Sequence, residues 1–458
     1  MKNQALNIDN NPENKDVRVV TKKSKKNKGK WKRSESTYGY LLVAPALLLI
    51  LMIAIWPVLQ SFYYSLFDLR LNNPTKSEVH LSYNIDLDRY LNNFPFLLGG
   101  IDNEIRSGNA PEQLEKIKQK LTEIDQKVQD SKGIKTQYDK VNEKLTNFEQ
   151  IDQKLSVAKL DKDTAQSVLK EVNEVNEELG KVASTMKLSQ EKKLLGLSAG
   201  LGDSIIKPNF IGFKHYQDNL SERRMWNALG NTVLFSVISV AVELVLGLAI
   251  ALLINKVFFG RGLIRASILI PWAIPTAVSA LMWKFLYDGQ NGIVAKLFED
   301  IGLVDSMSKL LTTDTGAMFS VIFADVWKTT PYMALLLLAG LQTIPSSLYE
   351  AASIDGAGKW RQFISITLPL LKSSLLVALL FRTLDAFRVF DLIYVLTGGG
   401  PANSTETISI LAYKVMFSQT NFGEGSALSV IIFICVAIIS MLFIKLLGKD
   451  LLNDSSEK

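Results

Sequence analysis

Ionisable side chains inside two long apolar stretches of the sequence, residues 316–341 and 371–397, are the first candidates for chemistry. Charged groups are costly inside a bilayer, so they usually face a protein interior or a cavity. Ten residues of these stretches carry a polar group or an aromatic ring: Asp325, Trp327, Lys328, Arg382, Thr383, Asp385, Phe387, Arg388, Asp391 and Tyr394. Planar polar groups hydrogen-bond to hydroxyls, and aromatic rings stack on apolar faces of a ligand. Together they predict a path for a sugar-like solute, lined mainly by the second stretch.

The same charges have a simpler interpretation as internal ion pairs. Arg382 and Asp385 are three residues apart, as are Arg388 and Asp391, and this spacing places both partners on one face of a helix. Glu243 is the single charge of another apolar stretch and is typical of a polar contact between helices. For any one of these residues the sequence leaves both interpretations open.

Between the two stretches lies the segment EAASIDGAGKWRQFISITLP, residues 350–369. Ser347 and Glu350 have the spacing of a capping box at the start of a helix. Asp355-Gly356 is typical of a turn or a helix C-cap, because glycine adopts positive φ without strain. The segment therefore predicts a short capped helix that ends at this turn.

A second short helix is predicted through Trp360 and Phe363, before Thr367 and Pro369 open the next apolar stretch. The two helices would form a helix–turn–helix knob that projects from the membrane. Its small residues allow close backbone approach, which suits insertion into a groove on another protein. The alternative is an interfacial elbow that only connects two membrane spans.

Six segments of the chain are apolar over about the 20 residues that a helix needs to cross a bilayer. They cover residues 38–68, 229–255, 266–287, 316–341, 371–397 and 425–444. The first is too long for the apolar core of a cleaved signal peptide, which has about 7–15 residues. We therefore expect an all-α integral membrane protein with six spans and a core domain at residues 219–448.

The charges between the spans predict one orientation in the cell membrane, because Lys and Arg collect on the cytoplasmic side. Lys and Arg are concentrated in TKKSKKNKGKWKR before the first span and in KVFFGRGLIR after the second, whereas the 288–314 loop is rich in Asp and Glu. Both termini would then be cytoplasmic: a disordered basic tail at 1–37 and a short tail at 449–458. The loop at 342–369 would lie on the same side. The basic run is expected to meet membrane lipid rather than nucleic acid.

Residues 72–210 form a polar insertion without a spanning segment. Its apolar residues recur at heptad spacing: Leu114, Ile117, Leu121, Ile124, Val128, Tyr138, Val141, Leu145, Phe148, Val168, Val172, Val175 and Leu179. This rhythm predicts a two- or three-helix bundle outside the membrane, with helices ending at Gly133 and near Asp161. A docking surface for an external partner and a structural spacer both remain open as its role.

Residue types for metal, disulfide or nucleotide chemistry are scarce in the sequence. Cys435 is the only cysteine and there are two histidines, which argues against a disulfide framework and a metal site. GAGKW at 356–360 is not a phosphate loop, since Trp360 stands where that motif needs a magnesium-binding hydroxyl. We expect no cofactor in this chain, so energy for transport would come from another subunit.

The segment 350–369 resembles the EAA loop of bacterial ABC-importer permeases. The match comprises Glu350-Ala351-Ala352, Gly356 after three residues, and Ile366-Thr367-Leu368-Pro369 after nine more. The first span and the segments FIGFKHYQDNL, IPWAIPTAVSALMWKFLYD and DAFRVFDLIYVLTGGGPANSTETISILAYKVMF are similar to the carbohydrate branch of that family, which includes the larger maltose permease subunit. The resemblance covers residues 38–71 and 208–448 and leaves the insertion out.

In that family the EAA loop is a coupling helix that sits in a cleft of an ATPase subunit. The resemblance implies this role for Glu350, Ala351, Ala352, Asp355, Gly356, Ile366, Leu368 and Pro369. It also implies a transport subunit rather than an enzyme, with three kinds of partner: a second homologous permease, an ABC ATPase dimer that binds ATP and Mg, and an extracellular sugar-binding protein. The substrate would be a di- or oligosaccharide of the maltose or trehalose type.

Two other functions are compatible with a multi-span chain. A secondary sugar transporter driven by an ion gradient would carry inverted repeats with broken helices, and the sequence shows no convincing internal repeat. A membrane receptor that senses a partner through the insertion would need a cytoplasmic signalling domain, whereas about ten residues follow Leu447. Neither function accounts for the EAA segment.

Overall fold

The computed structural model describes residues 35–456; residues 1–34 and 457–458, which belong to the two predicted tails, lie outside it. The chain falls into two units, Met1–Pro57 and Val58–Lys458. The described part of the first unit is a helix, Glu35–Ile50, followed by a π-helical turn, Leu51–Ile55. This wider turn comes just before Pro57, which has no N–H to donate to the preceding turn.

Helices long enough to cross a membrane dominate the described part of the chain. Five are continuous: Leu42–Tyr64, Arg223–Asn255, Asp314–Leu341, Lys359–Phe387 and Phe422–Leu446, the last running on to Ser456. Between the second and third of these helices lie two shorter ones, Arg261–Ala273 and Thr276–Leu286, which meet at an angle of 88° and together count as one broken span. The predicted all-α membrane fold is confirmed, and we number these spans one to six in chain order.

Two predicted spans are wrong in detail. The third, expected as one helix at 266–287, is broken at Ile274 and Pro275, because proline cannot continue the hydrogen-bond ladder. The fifth, expected at 371–397, begins as Lys359–Gln362, passes through a π-helical turn, Phe363–Thr367, and ends at Phe387. A separate short helix, Asp391–Leu396, follows it.

The second, fourth and fifth spans pack closely through glycines. A Cβ on Gly247 of the second span would lie 2.7 Å from Met333 Cγ of the fourth span. A Cβ on Gly340 of the fourth span would lie 2.4 Å from the Cβ of Ser374 of the fifth. Small residues at such crossings let the backbones of membrane helices approach each other. These three spans therefore form a tight core on which polar side chains can be held in place.

Short helices and two ion pairs complete the core beyond the spans. The short helices are Lys214–Ser221, Ile293–Asp300, Lys309–Thr312 and Ile408–Tyr413, the last followed by a π-helical turn, Lys414–Ser418. Glu406 is buried and accepts hydrogen bonds from Arg224 Nε at 2.8 Å and Lys414 Nζ at 2.8 Å. These contacts tie the loop after the fifth span to the start of the second.

The insertion between the first and second spans has more elements than the predicted bundle. Its helices are Leu87–Arg106, Pro111–Asp130, Lys135–Thr146, Gln153–Ser156, Lys162–Thr185 and Glu191–Gly202. Most of the predicted heptad positions are buried, but Phe148 is 98 % exposed. Asp161 does not end a helix; its carboxylate accepts from the N–H of Asp163 at 3.1 Å and caps the next one.

A small antiparallel sheet, absent from our prediction, closes the insertion. The central strand Asn84–Asp86 pairs with Val157–Lys159 on one side and Ile205–Ile206 on the other. The two ends of the insertion are therefore neighbours, with Ile85 opposite Ile205. Its buried apolar residues, from Ile85 to Ile205, form a hydrophobic cluster of their own.

Candidate functional site

A cavity of about 490 Å³ lies where the broken third span meets the fourth and fifth spans. It is lined by residues 272–276 at the break, by Asp325, Lys328 and Thr329 of the fourth span, and by Arg382, Asp385 and residues 388–392 of the fifth span and the turn after it. The break supplies non-helical backbone at membrane depth, which is tolerated where it lines a cavity. The cavity therefore combines exposed backbone, charged groups and aromatic rings.

A buried ion cluster, most of which belongs to the cavity wall, joins three spans. Arg382 is 1 % exposed, and its Nε and Nη2 donate to the two carboxylate oxygens of Glu243 at 2.5 and 2.9 Å. Nη2 also donates to the carboxylate of Asp325. The hydroxyl of Thr329 lies 2.7 Å from Glu243 Oε1. Buried charges need such pairing, so this cluster fixes the second, fourth and fifth spans relative to one another.

Asp385 is placed to meet a ligand. It reaches Arg382 Nη1 at 3.3 Å, but its side chain remains 64 % exposed toward the cavity region. Arg388 is also exposed, and its Nε donates to the carbonyl of Leu384 at 3.1 Å. Within the described residues no group of three or more His, Cys, Asp or Glu side chains is arranged to hold a metal ion.

Aromatic rings stand at two edges of the cavity. Trp272, 47 % exposed, stacks on Tyr332 with ring centroids 5.6 Å apart and planes 15° apart. Phe390 stacks on Tyr394 at 5.2 Å and contacts Tyr413 at 4.9 Å. Trp272 and Phe390 line the cavity itself, whereas Tyr394 and Tyr413 support Phe390 from behind. Polar groups between two fixed rings can hold a ligand that has both hydroxyls and apolar faces.

A second polar feature is the turn between the fourth and fifth spans, which we call the knob (residues 346–363). Its first helix, Ser346–Ile354, ends in a Schellman motif: the N–H of Gly356 donates to the Ser353 carbonyl at 3.1 Å, and the N–H of Ala357 to the Ala352 carbonyl at 2.8 Å. Gly356 has φ +76°. The motif satisfies the last carbonyls of the helix and turns the chain back toward the membrane.

Side-chain contacts hold the two arms of the knob together. Gln362 Nε2 donates to Ser353 Oγ at 2.8 Å and to the Ala357 carbonyl at 3.0 Å. Tyr349 and the buried Thr367 join their hydroxyls at 2.9 Å, which pins the first helix to the root of the fifth span. These contacts tie both arms of the knob to the fifth span.

The outer surface of the knob is apolar. Ile354 is 87 % exposed and Trp360 is 73 % exposed, with Trp360 stacked on Phe363 at 5.7 Å. Glu350 and Asp355 are exposed beside them. Exposed large apolar side chains rimmed by charges are typical of a protein-binding surface.

Comparisons with known proteins bear on both features. The model of the family described as binding-protein-dependent transport system inner membrane component matches residues 243–453. The trehalose/maltose transport system permease protein MalF of Thermococcus litoralis is 48 % identical over 236 residues, which cover 52 % of this chain and 79 % of that protein. The chain belongs to this family of inner membrane transport components.

A second curated relative and a solved structure are also similar to this permease. The trehalose transport system permease protein SugA of Mycobacterium tuberculosis is 46 % identical over 249 residues, covering 54 % of this chain and 78 % of that protein. Among solved structures, a bacterial ABC transporter involved in the import of the acidic polysaccharide alginate is 23 % identical, with a TM-score of 0.48, over 52 % of this chain and 84 % of the other. The permease is a multi-pass inner membrane protein and a transport component, not an enzyme.

The structure brings six of the ten predicted path residues together at the cavity of this permease. They are Asp325, Lys328, Arg382, Asp385, Arg388 and Asp391. The other four lie elsewhere: Trp327 packs against Trp283 at 5.4 Å, Phe387 is buried, and Thr383 and Tyr394 do not line the cavity. Of the two ion pairs that the sequence left open, Arg382–Asp385 forms at 3.3 Å. Arg388 and Asp391 do not share a helix, because one helix ends at Phe387 and the next begins at Asp391. The role of all ten residues in transport stays a prediction.

Sequence reasoning missed Trp272, Thr276, Thr329 and Phe390, which also line the cavity. The signal for the first two was present, since Pro271 and Pro275 are spaced four residues apart in a membrane span and mark a break. Glu243, interpreted as a contact between helices, does make such a contact through Arg382.

In the knob, the predicted capping box is wrong. The helix begins at Ser346 directly after Pro345, and no side chain caps it, so Ser347 and Glu350 lie inside the first turns. Thr367 and Pro369 do not open a new helix either, because the second arm runs continuously into the fifth span. The coupling role implied for the eight residues of the EAA segment stays a prediction.

Proposed function

We propose that this permease forms half of the translocation pathway of an ATP-driven importer for an uncharged di- or oligosaccharide of the trehalose or maltose type. The cavity between the third, fourth and fifth spans would receive the sugar. The knob would couple the permease to ATPase subunits. The names of the related trehalose and maltose permeases support this substrate class.

The charge balance of the cavity is the observation that carries the substrate proposal. Its wall holds three carboxylates and three cations: Asp325, Asp385, Asp391, Lys328, Arg382 and Arg388. Glu243, which pairs with Arg382, adds a fourth carboxylate next to the wall, so the site has no excess of cations that would attract an acidic sugar. Sugar hydroxyls can accept from the exposed Arg388 and donate to the accessible carboxylate of Asp385. Trp272 and Phe390 offer ring faces to the pyranose carbons. A neutral sugar fits this wall better than an acidic one.

Two features bear on the proposed partners: the exposed knob, and the sequence GAGKW, which is not a phosphate loop for ATP. We propose that ATP and Mg bind to a separate ATPase dimer, and that a second homologous permease supplies the other half of the pathway. An extracellular sugar-binding protein would deliver the substrate. The apolar tip of the knob, Ile354 and Trp360, supports a protein partner at this position. Closure of the ATPase dimer would then rock the spans as rigid bodies.

The orientation proposed here has both termini and the knob in the cytoplasm and the insertion outside. It rests on the distribution of Lys and Arg between the spans. In this orientation the knob faces the compartment that contains ATP.

Uptake by proteoliposomes tests the proposed function. The co-purified assembly would be reconstituted with ATP inside and binding protein outside, and entry of radiolabelled trehalose and maltose measured, with a glucuronide as the charged control. We expect uptake of a neutral sugar that needs internal ATP and is insensitive to ionophores. Uptake that proceeds without ATP and collapses with the ion gradient would instead support a secondary transporter.

A further inference from the structure

The break in the third span leaves backbone groups outside the hydrogen-bond ladder of either half-helix. Ile274 and Pro275 separate the two halves of the span, which meet at 88°. The carbonyl of Pro275 is taken by the N–H of Ser279 at 3.0 Å, inside the second half. The carbonyl of Ile274 takes its partner from another element.

Lys328 of the fourth span is that partner. Its ammonium donates to the carbonyl oxygen of Ile274 at 2.5 Å, and the side chain is buried. Four residues further along the same face, Tyr332 stacks on Trp272, two residues before Ile274. The fourth span therefore holds the break at two points, once through a charged donor and once through a ring.

Lys328 lies in the wall of the cavity, as do Trp272 and Ile274. A hydrogen bond with a charged donor is shorter and stronger than a neutral one, so it can define the position of a backbone that has no helix to define it. An ammonium has three donors, and one of them is directed at Ile274. The contact thus links the shape of the third span to the face that would meet a ligand.

We propose that Lys328 is a positioning residue: by holding the Ile274 carbonyl it fixes the bend of the third span and keeps Trp272 at the cavity. It acts on transport through this backbone contact rather than as a main ligand of the sugar. The transport consequence rests on the proposed function, whereas the consequence for the geometry of the bend does not.

Cysteine labelling tests the geometry without any partner protein. Cys435 is the only cysteine of the chain, so Cys435→Ser with Ala273→Cys places a single thiol at the break, on the cavity wall. The labelling rate with a small charged methanethiosulfonate is measured on the full chain in nanodiscs. Lys328→Met removes the donor, and Lys328→Gln is one bond too short to reach the Ile274 carbonyl. Lys328→Arg is long enough to reach this carbonyl. Lys284→Met replaces an exposed lysine of the second half-helix and serves as the control.

Trehalose uptake by the assembled transporter is the second readout. We expect Lys328→Met and Lys328→Gln to change the labelling rate and to lower the maximal uptake rate by about tenfold or more, as a displacement of about 1 Å can do. KM should rise as well, because a displaced Trp272 no longer offers its ring to the sugar. Lys328→Arg should restore both readouts, and Lys284→Met should match the parent.

Three results would overturn the proposal. One is a labelling rate that stays at the parent value in both Met and Gln variants. Another is a rise in KM with the maximal rate intact, which would make Lys328 a ligand of the sugar. The third is failure of Arg to restore either readout. If Lys328→Met does not accumulate, Lys328→Gln decides; if the parent takes up no sugar, the proposed function fails while labelling still decides the role of Lys328.

Discussion

Arg382 is one guanidinium shared by two buried carboxylates, and the membrane core depends on this charge. Replacing it in Arg382→Met leaves Glu243 and Asp325 without their cation, and breaking a buried pair in this way costs about 3–5 kcal/mol. We expect the detergent-solubilised variant to melt well below the parent. Arg388→Met is the matched control, because Arg388 is exposed and contacts only its own helix through Nε. Equal melting temperatures for the two variants would contradict this account of the cluster.

Asp385 differs from Asp325 in having a carboxylate that remains accessible. A hydrogen bond to a charged group contributes about 1.5–3 kcal/mol, which corresponds to roughly a tenfold or larger effect on binding. Asp385→Ala should therefore raise the KM for trehalose uptake by about this factor. Thr383→Ala, two residues away and outside the cavity, should leave KM unchanged. A KM that responds to Thr383 rather than Asp385 would place the sugar elsewhere.

Gly356 makes the turn between the two helical arms of the knob. Its φ of +76° costs a residue with a Cβ about 1–2 kcal/mol, and no neighbouring atom obstructs a side chain there. Gly356→Val should strain the Schellman motif and abolish sugar uptake while membrane insertion stays normal. Gly358→Ala is the control, because Gly358 has φ −64° and equally open surroundings. Full uptake with Gly356→Val would count against coupling through the knob.

The insertion offers a pH test of its own fold. Tyr138 and Tyr90 donate to Asp125 Oδ1 at 2.9 and 3.2 Å, yet burial outweighs these bonds and raises the pKa of Asp125. The folded insertion then binds this proton more tightly than the unfolded chain, whose aspartates have a pKa of about 3.9. The contribution of Asp125 to the free energy of unfolding is complete below about pH 3.9. It is lost as the pH rises through the raised pKa of Asp125 in the folded insertion.

Asp125→Asn should remove this part of the pH dependence, since the amide keeps an acceptor for the tyrosines. The measurement is urea unfolding of residues 79–208, followed by circular dichroism between about pH 4 and 7. Asp139→Asn, an exposed residue of the same region, serves as control and should behave as the parent. Identical pH profiles for both variants would show that Asp125 is not the group responsible.

At the scale of the whole molecule, the features that repeat along the chain were predictable from sequence. Long apolar runs predicted the spans, and the heptads predicted the buried faces of the insertion, because both follow from helix periodicity. The small sheet was not predictable, since its strands have two or three residues and Asn84 pairs with Ile206 far along the chain. The sharing of Arg382 between Glu243 and Asp325 was missed because it is decided by contacts between spans. The bend was missed although Pro271 and Pro275 mark it in the sequence.

The proposed contact between the knob and an ATPase subunit can be tested directly by cross-linking. In the Cys435→Ser background, Ile354→Cys would carry a photo-cross-linker at the apolar tip, with Phe148→Cys, exposed on the insertion, as control. Native membranes are irradiated and the adducts identified by mass spectrometry. The account predicts an adduct between position 354 and a subunit that binds ATP, and none from position 148. Adducts with an ATP-binding subunit from position 148 but not from 354 would contradict it.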